Sequence, residues 1–125
     1  MAGSEVRLRF PRRLRLLRRN DFQLVYQRGQ RRFGAHMTLF YLRRSESGAA
    51  RFGFSVAKHL GSAVERNRIK RRLREVVRLH RPQLAGPVDV VINPKKSALK
   101  ADFSELQREI GVALGIIEKS IQKRA

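Results

Sequence analysis

Between Arg66 and Arg74 the chain reads RNRIKRRLR, six cations and one asparagine in nine residues, and no other stretch concentrates so much chemistry. At about 100° per residue, a helix through this run places Asn67, Arg71, Arg74 and Arg78 in one row, opposite Ile69, Leu73 and Val76. Guanidinium forks match pairs of phosphate oxygens, which favours arginine over lysine at such a row. A run of like charge often ends as a solvated face. Here the run shares a helix with a packing stripe, which favours a binding role. Phe22, Val25 and Tyr26 stand at i, i+3 and i+4, a spacing that by periodicity alone reads as core before it reads as a site.

Other chemistries find little support. A metal-dependent nuclease needs two or three carboxylates converging on hard cations, whereas Asp21, Glu65, Glu75, Asp89, Asp102, Glu105 and Glu109 are dispersed. His36, His59 and His80 are not spaced as metal ligands, and each is expected to be exposed or to face RNA. Without cysteine there is no thiolate zinc site, no disulfide and no cysteine nucleophile.

The elements that must position these residues follow from pattern and breakers. With 125 residues, 42% of them hydrophobic, the chain suits one compact domain over residues 1–125. Its 29 Lys and Arg against 10 Asp and Glu leave +19, whose self-repulsion a polyanion would relieve, so nucleic acid is the expected partner. No apolar run is long enough for a membrane span and no signal peptide is apparent, so a cytoplasmic protein is expected. Residues 1–17 read as a basic arm ordered on contact, with Arg7, Arg9, Arg12, Arg13 and Arg15 interleaved with apolar residues and Pro11 opposing a continuous helix. Asn20 as N-cap and Gly29 as C′ residue bracket a short amphipathic helix. Residues 36–43 and 51–57, with SESGAA between them, read as two strands paired antiparallel. A helix after Gly61 is limited by Pro82, a buried strand spans 88–93, and an amphipathic helix starts near Asp102 with an Asp102–Glu105 capping box. That order predicts an α+β fold, one sheet with helices packed on it.

The string GSAVERNRIKRRLRE, centred on Arg66, Asn67 and Arg68, resembles the signature of the bacterial ribonuclease P protein family. LRRNDFQLVYQRG resembles that family's first helix, and RFGFSVAKHLG the strand and turn that precede its signature. The likeness is strong over residues 14–81, while the C-terminal third agrees only in pattern. In AKHLG, His59 takes the second place of a pair that is commonly basic in the family, which removes a fixed charge from that turn.

The resemblance implies an α-β-β-β-α-β-α fold with one mixed sheet and an unusual left-handed crossover, where general topology rules favour the right-handed one. It implies a subunit of the ribonuclease P holoenzyme, which removes the 5′ leader of precursor tRNA endonucleolytically. In that family the catalytic centre lies in the RNA subunit, so no catalytic residue, metal ligand or cofactor is assigned to the protein, and Mg2+ is expected through the RNA. Arg66, Asn67, Arg68, Lys70, Arg71 and Arg74 match the signature that contacts the RNA subunit. Phe22, Tyr26, Phe40, Lys58, Lys95 and Lys96 match the cleft that holds the single-stranded leader. Aromatic faces stack unpaired bases of any sequence while lysines follow the backbone. A ribosomal or other structural RNA-binding protein would share the charge, and only the signature and the aromatic cleft separate the two readings.

Overall fold

The computed structural model describes residues 12–16, 18–45 and 47–124. Among these residues three α-helices, α1 (Arg19–Arg28), α2 (Ala63–His80) and α3 (Phe103–Arg124), accompany four strands, β1 (Gln30–Phe33), β2 (Met37–Arg43), β3 (Arg51–Phe54) and β4 (Val88–Pro94). The strands form one mixed sheet in the order β1-β2-β4-β3. β1 and β2 are antiparallel, as are β2 and β4, whereas β3 and β4 run parallel with α2 as the connection between them. The expected α+β architecture is therefore present.

The expected antiparallel pairing of the 36–43 and 51–57 segments is not. β4 lies between them and pairs with both. Its run Val88, Val90, Val91 and Ile92 is apolar on both faces and fully buried, and such a strand belongs at a sheet centre, where both faces are covered. β1 has the polar sequence QRRF and no apolar alternation, so pattern alone gave no warning of it.

The pleat sends alternate side chains to opposite faces. On one face Met37 and Leu39 of β2, Phe52 of β3, and Val88, Val90 and Ile92 of β4 join Ile69, Leu73, Val76 and Val77 of α2 and Leu106, Ile110, Leu114 and Ile117 of α3 in the main core. On the other face Val91 meets Val25 of α1 and Leu16, with Phe22, Phe40 and Leu42 only partly buried around them.

Local signals explain the helix ends. α2 starts with a full capping box, in which Ser62 Oγ accepts from Glu65 N at 3.2 Å while Glu65 Oε1 accepts from Ser62 N at 2.9 Å. It ends at His80 ahead of Pro82, as expected. Glu105, expected to form a box with Asp102, accepts from His36 Nε2 through its carboxylate across 3.1 Å. Asn20 lies inside the first turn of α1, and Arg18 takes the cap position without a side-chain bond. Gly29 follows α1 in extended rather than left-handed backbone. Its lack of a side chain is needed because a Cβ there would collide with the carbonyl oxygens of Val25 and Tyr41.

Residues 12–16, expected as part of an arm ordered on contact, are docked on the sheet edge. Arg15 bridges to Phe52 in parallel, Leu16 N donates to Phe52 O at 2.8 Å, and Leu14 and Leu16 are buried. The rest of the arm, with Arg7 and Arg9, lies outside the described residues.

Candidate RNA-binding surfaces

On α2 the apolar stripe faces inward and the basic row faces out. Asn67, Arg68, Arg71 and Arg74 are exposed, while Arg66 and Lys70 are half-buried at its margins. Arg66 Nε donates to Gly61 O at 3.3 Å, tying its side chain to the turn that opens the helix. Arg15, Lys70 and Arg74 line one pocket beside Phe52 and Phe54. Partial burial, followed by the positive charge of Arg15, lowers the pKa of the Arg74 guanidinium from its ordinary value. Two cations of α2 have other tasks. Arg72 turns inward and donates to the carbonyls of Ala98 and Leu99 at 2.8 Å each and to that of Ala101, holding the turn Lys96–Leu99 against α2. Arg78, the last member of the predicted row, forks onto Glu75, its Nη2 lying 2.6 Å from Oε2.

The opposite face of the sheet builds the second surface. Phe22 lies over Gly53, with its ring so close that a Cβ at Gly53 would stand 2.6 Å from Cζ. Glycine in β3 is thus what lets the α1 aromatic reach the sheet. One turn further along α1, the Tyr26 ring meets Phe40 edge-on, with centroids 4.9 Å apart and planes at 86°. Tyr26 Oη donates to Asn93 Oδ1 at 3.0 Å. Val25 supplies the packing of α1 and is fully buried, whereas Tyr26 stays 37% exposed and Phe22 and Phe40 half-buried. The core-first reading of these aromatics thus fits Val25 better than its neighbours. Phe40 points to this groove and Tyr41 to the main core, with Tyr41 Oη donating to Gln30 Oε1 at 2.7 Å.

Below the groove Asp89 is buried and accepts from Arg44 Nη1 at 2.6 Å and from Arg51 Nε and Nη2 at 2.9 and 2.8 Å. Arg51 Nη1 also stands 4.0 Å from Asp21 of α1. This cluster fixes the end of β2 and β4 on which α1 begins.

Because β3 and β4 are parallel, their C-terminal ends bring Lys58, in the turn Lys58–Leu60, and Lys95 and Lys96 out at one end of the sheet, all three exposed. The two neighbouring lysines then diverge. Lys95 Nζ donates to Gly34 O at 2.7 Å, in the turn between β1 and β2. Lys96 lies toward the start of α2, where it and Lys100 help hold the Glu65 carboxyl below the usual carboxylate range, an effect led by the hydrogen bond from Ser62 N.

Asn93 and Gly53 shape the groove but were not singled out in the sequence. The only signal was an asparagine closing an apolar strand and a glycine within one. His36, expected to be exposed or RNA-facing, is instead a structural link. Its ring lies 2.8 Å from Ser97 Oγ and 3.1 Å from Glu105 Oε2, while the Glu109 carboxylate accepts from its backbone N–H at 3.0 Å. His80 lies 3.1 Å from Gln83 Oε1, and His59 is exposed in its turn. Among the described residues no group of three His, Cys, Asp or Glu side chains is placed to hold a metal ion.

A basic helix face and an aromatic groove on one small α+β scaffold define an RNA-binding protein. The family model described as Ribonuclease P matches residues 10–118. The chain is 43% identical over 103 residues to the ribonuclease P protein component of Desulfovibrio desulfuricans, covering 80% of this chain and 79% of that protein. It is 37% identical over 111 residues to the component from Finegoldia magna, covering 89% and 94%. Among solved structures, the RNase P protein of Staphylococcus aureus superimposes with a TM-score of 0.74 at 28% identity, over 84% of this chain and 95% of that one. That of Thermotoga maritima gives 0.72 at 25% identity, over 81% and 94%. The chain belongs to the ribonuclease P protein component family. It is the protein subunit of the tRNA-processing ribonuclease P holoenzyme, a ribonucleoprotein in which it works with an RNA subunit. The alternative of a ribosomal or other structural RNA-binding protein gives way to this membership.

Proposed function

We propose that the two surfaces divide the RNA between them. The outer face of α2, with Arg66, Asn67, Arg68, Lys70, Arg71 and Arg74, binds the RNA subunit. The groove between α1 and the sheet, with Phe22, Tyr26, Phe40, Lys58 and Lys95, binds the 5′ leader of precursor tRNA. Lys96 stands at the border of the two, since it lies toward Glu65 of α2. All of these residues act within one domain spanning 1–125. The protein then promotes leader removal by holding substrate and RNA subunit together and by supplying positive charge where phosphates crowd. Mg2+ enters the holoenzyme through the RNA subunit, and the assembly works in the cytoplasm.

One observation carries the leader assignment. Tyr26 is fixed from two sides, by Phe40 and by Asn93, yet keeps more than a third of its surface in solvent. An aromatic that is both oriented and exposed is a ready stacking platform, and stacking on such a ring contributes about 1–3 kcal/mol per base. Tyr26→Ala should therefore lower holoenzyme affinity for precursor tRNA by about 1–3 kcal/mol and leave affinity for mature tRNA, which has no leader, nearly unchanged. Equal losses for both substrates, with a lowered melting temperature of the isolated protein, would instead make Tyr26 a packing residue.

A further inference from the structure

We infer that Arg31 and Phe33 of β1 form a further base-stacking position on the same track, a site for an unpaired nucleotide of the leader beyond the groove under α1. This inference rests on the leader assignment proposed above and extends it to the sheet edge.

The strand register carries the placement. Arg31 is paired with Phe40 and Phe33 with Thr38, and directly paired residues in a sheet point to the same face. Phe40 faces Tyr26 in the groove, so Arg31 and Phe33 face the same way. Arg32 between them is paired with Leu39, a main-core residue, and turns to the α3 side. Thr38 is paired in turn with Asn93, the partner of Tyr26 Oη. One cross-strand row therefore runs from Phe33 through Thr38 to Asn93, about 10 Å across at ordinary strand spacing. Neighbouring nucleotides of an extended single strand cover that span.

The chemistry of the pair suits a nucleotide. Phe33 is 67% exposed, far more than a ring needed for packing, and it belongs to neither apolar cluster. The Arg31 guanidinium stands 4.8 Å from its centroid, a cation–π contact that orients the ring and leaves the charge beside it for a phosphate. A second charge lies on the path. Lys95 Nζ is held by the carbonyl of Gly34, the residue that follows Phe33, and so stands at the end of β1. Aromatic face, stacked guanidinium and ammonium are the elements that hold single-stranded nucleic acid without regard to sequence. An isolated apolar patch awaiting another protein would not need the two cations.

The test uses the holoenzyme reconstituted with its RNA subunit. Three substrates are compared: precursor tRNA with a leader of about ten nucleotides, the same precursor with an abasic leader of equal length, and mature tRNA. Phe33→Ala should weaken binding of the normal precursor about fivefold or more, leave the other two unchanged, and be rescued by Phe33→Tyr. Arg31→Ala should weaken both leader-bearing substrates, because it removes charge as well as ring orientation. Discrimination by Tyr26→Ala but none by Phe33→Ala overturns this inference alone. No discrimination by either variant removes the leader assignment itself. Equal losses on all three substrates would place Phe33 against the RNA subunit or the tRNA body. A self-association seen in sedimentation and lost in Phe33→Ala, with leader binding intact, would make it a contact between copies of the chain. Either of these last two results also overturns the inference.

Discussion

The two faces of this sheet are built from the same strands by alternate residues, yet they reach different degrees of completion. Toward α2 and α3, the side chains of Met37, Leu39, Phe52, Val90 and Ile92 are buried under two long helices. Toward α1, a ten-residue helix covers only Val91 and its immediate neighbours, leaving Phe22, Phe40 and Leu42 partly open. A short helix cannot bury a four-stranded face, and aromatic surface remains accessible beside it. One face holds the fold together and the other leaves aromatic surface open, and the leader site proposed above rests on that difference.

This contrast is sharpest in the phenylalanines. Phe52 sits on the saturated face at 0% exposure, and Phe52→Ala should cost about 3–5 kcal/mol of unfolding free energy in a denaturant titration. Phe40→Ala, on the open face, should cost clearly less. Comparable losses at both positions would mean that the α1 face is core as well.

The open face depends on one buried charge. Asp89→Asn leaves Arg44 and Arg51 with a neutral partner in place of the carboxylate that binds both, and removing one member of a buried ionic group costs about 3 kcal/mol or more. The expected result is a lower unfolding midpoint together with weaker leader discrimination, because Arg51 also reaches Asp21 on α1. A stable variant with intact discrimination would separate the ion cluster from the groove.

On the outer face of α2, Arg71 is exposed. Arg71→Ala should leave the melting curve unchanged, weaken binding to the RNA subunit by about 1 kcal/mol, and reduce the slope of log affinity against log salt by about one, as for one lost phosphate contact. Arg72→Ala is the contrasting neighbour, since its side chain holds the turn Lys96–Leu99 rather than facing outward. It should lower stability first. If both variants behave alike, the split between binding and holding roles within this run is wrong.

The smallest effect concerns the start of α2. The Glu65 carboxyl is held below its ordinary value of 4.5, chiefly by the Ser62 backbone hydrogen bond. A carboxylate depressed in the folded state stabilises the protein above its unfolded pKa and loses that contribution as pH falls through the folded one. Glu65→Gln should therefore flatten the fall of melting temperature slightly as pH drops below about 4.5. An identical profile would show that the capping box contributes no charge-dependent part.

The inward stripe of α2, its stop before Pro82 and the buried strand 88–93 were legible in the sequence, because apolar periodicity and proline act locally and survive any tertiary arrangement. The basic face of α2 was legible for the same reason. The signature around Arg66, Asn67 and Arg68 carried the family. What tertiary structure alone decided was which strands pair and which polar groups meet. β4 enters between β2 and β3 as a strand buried on both faces, a placement that no short-range pattern states. The separate fates of Lys95 and Lys96, the inward turn of Arg72, the link of His36 to α3 and the support of Tyr26 by Asn93 depend on residues tens of positions apart. Sequence specifies which side chains can stack, pair or carry charge. Only the fold decides which of them are consumed by neighbours and which are left exposed.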